Sequence, residues 1–213
     1  MAAQELEAEE VEPPLDVADL AAAAAHSLAW HGEQSRKGSG VPYVSHLLQV
    51  AGMVLEHGGD LVQAAAGLLH DCLEDAPSSA ERAAREVVIR EQFGRGTLEL
   101  VLACTDTRPE ESIGDKAPWR LRKQRQLEQL DVADDRALLV VACDRCHNLR
   151  SLVADLRRDG DAILARFNAG PAEQRWLQVE CLARFTGRVP EALVREFETL
   201  VADYAVLTAH VAG

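Results

Sequence analysis

Apolar positions along the chain recur mostly at helical spacing, and the breaks between them fall at glycine, proline and acidic capping residues. A first alanine-rich segment over 17–30 ends near Gly32. A second, over 44–57, carries Leu47, Leu48, Val50, Ala51, Val54 and Leu55 and stops at Gly58-Gly59. Asp60 then suits the N-cap of a third helix over 61–75. A fourth follows Ser78-Ser79 up to Phe93-Gly94, and a short fifth covers 97–104. A basic helix begins around Trp119 after the polar loop 105–117. Another starts near Asp134-Asp135 and runs through Leu138 to Leu152. Segments at 161–167, 172–186 and 191–211 complete the series, with Trp176, Val179, Leu182 and Ala183 spaced as a core face. No stretch reads as a strand and no internal repeat stands out. The pattern predicts an all-α fold, a single helical bundle of about ten helices over 17–213.

Composition agrees. The 213 residues are 47% hydrophobic, much of it alanine and leucine, and only 4% aromatic, which favours helices. No apolar run approaches the length of a membrane span and the N-terminus lacks the regions of a signal peptide, so a cytoplasmic location and no membrane partner are expected. Five cysteines argue against a disulfide framework. Cys143 and Cys146 fall inside an apolar helix and read as buried thiols. The net charge of −13 excludes a broad nucleic-acid surface. Part of that charge lies in residues 1–16, which hold six carboxylates, no lysine or arginine, and Pro13-Pro14. This segment reads as an acidic disordered tail. An anionic ligand therefore needs a local cationic pocket.

Chemistry concentrates in Leu68-Leu69-His70-Asp71-Cys72-Leu73-Glu74-Asp75. A histidine and three carboxylates crowd one end of a helix directly behind an apolar run, and a metal ion is the economical neutraliser. Asp144 follows the apolar 138–143 stretch, so it needs a cation or several donors. Asn148 and Ser151 share its face. His46 alone reads as a satisfied core histidine; His26 and His31 read as structural or exposed. In the loop 34–43, Arg36 and Lys37 are either a solvated turn or a contact for an anionic ligand. Arg120, Arg122 and Lys123 on the basic helix are either a solvated face or a second phosphate contact.

The order His46, His70-Asp71, Asp144 resembles the H…HD…D pattern of the HD-domain metal phosphohydrolases. Arg36-Lys37…Pro42-Tyr43-x-x-His46 resembles the R-K-S-G-E-P-Y-x-x-H-P segment of the RelA/SpoT alarmone hydrolase domain. Residues 68–75 resemble its L-L-H-D-x-x-E-D, and residues 142–150 its L-A-D-R-L-H-N-M-R. The resemblance spans roughly residues 20–200. With no synthetase domain before Gly213, it points to a stand-alone small alarmone hydrolase, the class that includes a metazoan SpoT homologue. It departs at Leu47, at one additional residue in the arginine–lysine loop, and at Val141 and Cys146, where the family usually has proline, a shorter loop, lysine and leucine.

The resemblance implies one manganese ion on His46, His70, Asp71 and Asp144; the ligand types alone equally suit iron, cobalt or zinc. It implies that Glu74 and Asp75 position water and move protons. It implies a guanosine tetra- or pentaphosphate substrate, with Arg36 against the base, Lys37 nearby, and Asn148 and Ser151 on the nucleoside. Arg120, Arg122 and Lys123 then face the distal diphosphate. Adenosine alarmones and the 2′-phosphate of NADPH are alternative substrates, and a catalytically silent nucleotide-binding module is the alternative of another class. Pairing with an alarmone synthetase is one physiological setting. The C-terminal helices suit a homodimer surface as well as core packing.

Overall fold

Two of the helices, the third and the sixth, pack against most of the others, and many of the chemistry-bearing residues lie on the sixth or just after the third. The structure, a computed structural model, describes residues 13–37, 39–111 and 116–211; most of the acidic-tail prediction, residues 1–12, lies outside them. Among the described residues stand eight α-helices and one 3-10 helix, against about ten predicted. They are α1 Val17–His31, α2 Val44–Glu56, α3 Leu61–Leu69, α4 Ser79–Cys104, α5 Trp119–Val132, α6 Asp135–Asp159, the 3-10 helix Gly160–Arg166, α7 Pro171–Phe185 and α8 Glu191–Thr208. No strand is present among the described residues. A single bridge, Ser35 to Pro42, closes the loop between α1 and α2. None of their helices is long and apolar enough to cross a membrane.

The starts follow local chemistry. Asp16 and Asp19 form a capping box on α1, and Asp60 and Gln63 form another on α3. Ser78 caps α4 and Asp134 caps α6. α3 ends at Leu69, six residues before the predicted end, and residues 70–75 continue as consecutive turns. The His70 ring explains the early stop: its Nδ1 sits 2.9 Å from the Gly67 carbonyl and competes with the backbone for that acceptor. The predicted break at Gly94 appears as a kink inside α4, where Gly94 has φ 82°, a conformation glycine adopts without a Cβ clash.

α3 packs against α1, α2, α4 and α6; α6 packs against α2, α3, α4, α7 and α8. Residues 63–69 of α3 are all buried. Small side chains permit this. At Gly67 a Cβ would stand 3.2 Å from the Ala51 Cα, so α2 and α3 cross at nearly backbone contact. The run Leu138–Cys143 of α6 is buried too and joins Phe185, Phe197 and Tyr204 in the larger core. One register prediction is corrected. On α7 the buried row is Leu177, Cys181 and Phe185, whereas Val179 and Ala183 are exposed and Trp176 and Leu182 half-buried. Trp176 is drawn to the margin, where the Arg120 guanidinium lies 3.2 Å from its ring centre.

Candidate active site

The packing of α2 and α3 against α6 brings His46, His70 and Asp144 together, their ligand atoms within 4.8 Å of one another. The Asp144 Oδ1 lies 3.2 Å from the His46 Nε2 and 3.5 Å from the His70 Nε2. Asp71 joins from the turn after α3, its Oδ2 3.0 Å from the His70 Nε2 and 3.8 Å from the His46 Nε2. Both Nε2 atoms are buried without a hydrogen-bond partner. Two orphaned imidazole nitrogens facing two carboxylates fit a divalent cation, since burial of such groups is costly otherwise. The donor set of imidazoles and carboxylates suits several transition metals.

Each of the four side chains is held from behind. The His70 Nδ1 donates to the Gly67 carbonyl, which fixes the ring and turns its Nε2 toward the two carboxylates. The His46 Nδ1 meets the His147 Nδ1 at 2.8 Å. The Asp71 Oδ2 accepts a short bond from the Tyr43 hydroxyl, and the Asp144 Oδ1 accepts from the Asn148 Nδ2 at 2.5 Å. Burial opposes ionisation of Asp71 and Asp144, but the histidines outweigh it and hold both carboxyls below the usual range. Burial opposes charge on His70 too; there Asp71 and Asp144 prevail and raise it well above its ordinary value. Burial, then the His46 ring and Arg36, push His147 down to about 3, so that ring is neutral.

Glu74 and Asp75 stand beside this cluster. The Glu74 Oε1 accepts from the Lys116 Nζ at 3.1 Å and lies 3.5 Å from the Arg122 Nη1. Asp75 accepts from the Gln34 Nε2 at 2.9 Å. Burial, and then Asp106, push the Glu74 carboxyl up. Asp106 is fully buried and bound by both Arg122 and Lys123. Burial pushes it up, but Lys123 and Arg122 prevail and bring it down to about 2.

A cavity of about 280 Å³ is lined by Tyr43 and Asn148, the partners of Asp71 and Asp144. Arg36, Lys37, Asn148, Ser151 and Lys123 line it, as do Arg145, Trp119 and Phe167. The Arg36 Nη2 donates to the Asn148 Oδ1 at 3.0 Å, tying the loop to α6. The three basic residues predicted as a phosphate contact part company. Lys123 reaches the cavity, Arg122 is taken up by Asp106, Glu74 and the Ala117 carbonyl, and Arg120 stacks on Trp176 away from the cavity. His26 and His31 pair with Gln92 and Gln34, at 2.7 and 2.8 Å. All five cysteines are free, and burial raises every thiol, Cys104 and Cys146 to about 12. Sequence reading gave no role to Tyr43, Asp106, Lys116 or His147. Tyr43 and His147 lie within the quoted motifs, which was the available signal; Asp106 and Lys116 had none.

A probable guanosine-3′,5′-bis(diphosphate) 3′-pyrophosphohydrolase of Synechocystis is 35% identical over 124 residues, 58% of this chain and 15% of the relative. The bifunctional (p)ppGpp synthase/hydrolase SpoT of Escherichia coli is 32% identical over 142 residues, 64% of this chain and 18% of that one. The chain thus spans under a fifth of the length of the curated relatives it matches. Among solved structures, a metazoan orthologue of SpoT that hydrolyses ppGpp shares the fold, with a TM-score of 0.67, 21% identity, and coverage of 92% of this chain and all of that one. A family model described as HD domain matches residues 20–172. On that match, which takes in the loop, both histidines and Asp144, the chain belongs to the HD-domain family.

Proposed function

We propose that this protein is a metal-dependent phosphohydrolase that removes the 3′-pyrophosphate of guanosine tetra- or pentaphosphate, giving GDP or GTP and pyrophosphate. The observation that carries the proposal is the convergence of the orphaned His46 and His70 Nε2 atoms with Asp71 and Asp144, whose hydrogen-bond partners Tyr43 and Asn148 line a cavity together with Arg36, Lys37 and Lys123. That curated relatives bear the name of this activity supports it. When bound, a divalent cation, manganese in this proposal, supplies Lewis acidity toward phosphoryl oxygens and makes water acidic enough to attack phosphorus.

The chain's own residues do the rest. Arg36, whose planar guanidinium suits stacking on a base, is braced by Asn148 at the cavity wall. Lys37 and Lys123 supply positive charge to phosphates in a protein whose net charge is −13. Ser151 and Asn148 offer hydrogen bonds to the nucleoside. Glu74, its carboxyl raised by burial and Asp106, is the group that passes a proton to the leaving oxygen. Asp75 orients water, and Gln34 ties it to the loop that bears Arg36 and Lys37. Water adds across the bond between the 3′ oxygen and phosphorus, so one nucleoside diphosphate or triphosphate and one pyrophosphate leave. In a cell this lowers alarmone levels in the stringent response, opposite a synthetase.

Separating the products from a panel of guanosine tetraphosphate, its adenosine counterpart and NADPH tests the substrate. The proposal expects pyrophosphate from the guanosine compound at the highest kcat/KM. Release of a single phosphate from NADPH alone contradicts it, and tight binding with no turnover of any of the three identifies a silent binding module.

A further inference from the structure

Asp144, His147 and Asn148 lie on one face of α6, at i, i+3 and i+4. Asp144 faces the two imidazole nitrogens and Asn148 braces Arg36. His147 lies between them, 3% exposed, and crosses to α2, where its Nδ1 stands 2.8 Å from the Nδ1 of His46. The two rings are 4.8 Å apart at an angle of 37°.

Two neutral imidazoles joined through their Nδ1 atoms share one proton: one ring donates and the other accepts. If the proton belongs to His147, His46 must carry its own on Nε2, aimed at the carboxylates. That nitrogen lies 3.2 Å from the Asp144 Oδ1 and is buried without a hydrogen-bond partner. A proton there would occupy the position that a metal ion needs. If the proton belongs to His46 Nδ1, the Nε2 electron pair faces the carboxylates, and a cation between them relieves the repulsion. His70 is held in a comparable way, since its Nδ1 donates to a carbonyl that can only accept.

We infer that His147 is a positioning residue that accepts the Nδ1 proton of His46, fixing the tautomer and the ring plane that present the His46 Nε2 to a metal ion. The inference deepens the metal reading above and rests on it for its consequence. His147 touches neither substrate nor metal; it acts through His46.

The test compares manganese affinity, by titration of the metal-stripped full chain, for wild type, His147→Leu and His147→Asn. The Asn carbonyl oxygen can stand where the His147 Nδ1 stood. Loss of such a partner to a metal ligand costs about 10- to 100-fold in affinity. His147→Leu should lose that much while its metal-free circular dichroism matches wild type, and His147→Asn should recover most of it. A folded leucine variant that binds like wild type, or an asparagine variant no better than leucine, overturns the inference. Nitrogen-15 spectra of the histidine rings in the metal-free wild type decide the matter even if the variants do not fold. A proton on the His46 Nδ1 supports the inference, and one on its Nε2 overturns it. Failure of the wild type to bind manganese sinks the metal reading instead and leaves the tautomer to be read directly.

Discussion

Asp106 shows what a single carboxylate can do when its side chain has no exposed surface. Arg122 and Lys123 both bind it, and Arg122 also reaches Glu74. Because its folded pKa, about 2, lies below the ordinary value, its contribution is fully present above about pH 4 and is lost as pH falls through 2. That shift corresponds to about 2 kcal/mol. Asp106→Asn strands two buried cations and should cost about 3 kcal/mol at pH 7, with a flatter loss of stability between pH 4 and 2. Urea unfolding at both pH values checks this. At the reacting end, Glu74→Gln and Asp75→Asn should each lower kcat by about 100-fold or more while leaving manganese binding within a few-fold, as titration and turnover together would record. That His70, Asp71 and Asp144 cluster was suggested by the sequence because a histidine and carboxylates packed beside an apolar run call for a neutralising cation, and the quoted motifs supplied His46. Asp106 was not legible. Its partners lie 16 and 17 residues away, and a polar loop looks the same whether it is solvated or folded back onto a site.

The elements matter through how closely they approach. α2 delivers His46 and α3 delivers His70, and the two meet at Gly67 against the Ala51 backbone. Gly67→Val should destabilise the fold by about 1–3 kcal/mol by overpacking and weaken manganese binding by separating the two histidines. Thermal unfolding and metal titration of the same variant check both. Helix starts were readable from Asp16, Asp60, Ser78 and Asp134, whose side chains do the capping. The early end of α3 was not, because the His70 ring takes a backbone acceptor only once the fold has placed it. The face of α7 was also misjudged. Trp176 and Val179 have helical spacing, but which row turns inward depends on the partners α5, α6 and α8 and on Arg120, which spacing within α7 does not reveal.

For the whole molecule, the proposed cation is a staple. Its four ligands come from α2, from the turn after α3 and from α6, so binding ties together three separate elements of the fold. Manganese at about 100 times its Kd should stabilise the chain by about 3 kcal/mol, and raise Tm by several degrees for a chain of this size. His70→Ala should lose that shift in a thermal scan. The all-α architecture was legible from periodicity and composition alone; the packing of α3 and α6 against most of the other helices was not, since both read simply as apolar helices. The central claim is that this site cleaves pyrophosphate from a guanosine alarmone with a metal's help. Pyrophosphate release by the metal-stripped chain from guanosine tetraphosphate, with and without manganese, tests it most directly. The account predicts stoichiometric GDP and pyrophosphate only with manganese, and none from a Glu74→Gln/Asp75→Asn double variant. Equal release without metal, or none with it, contradicts the account.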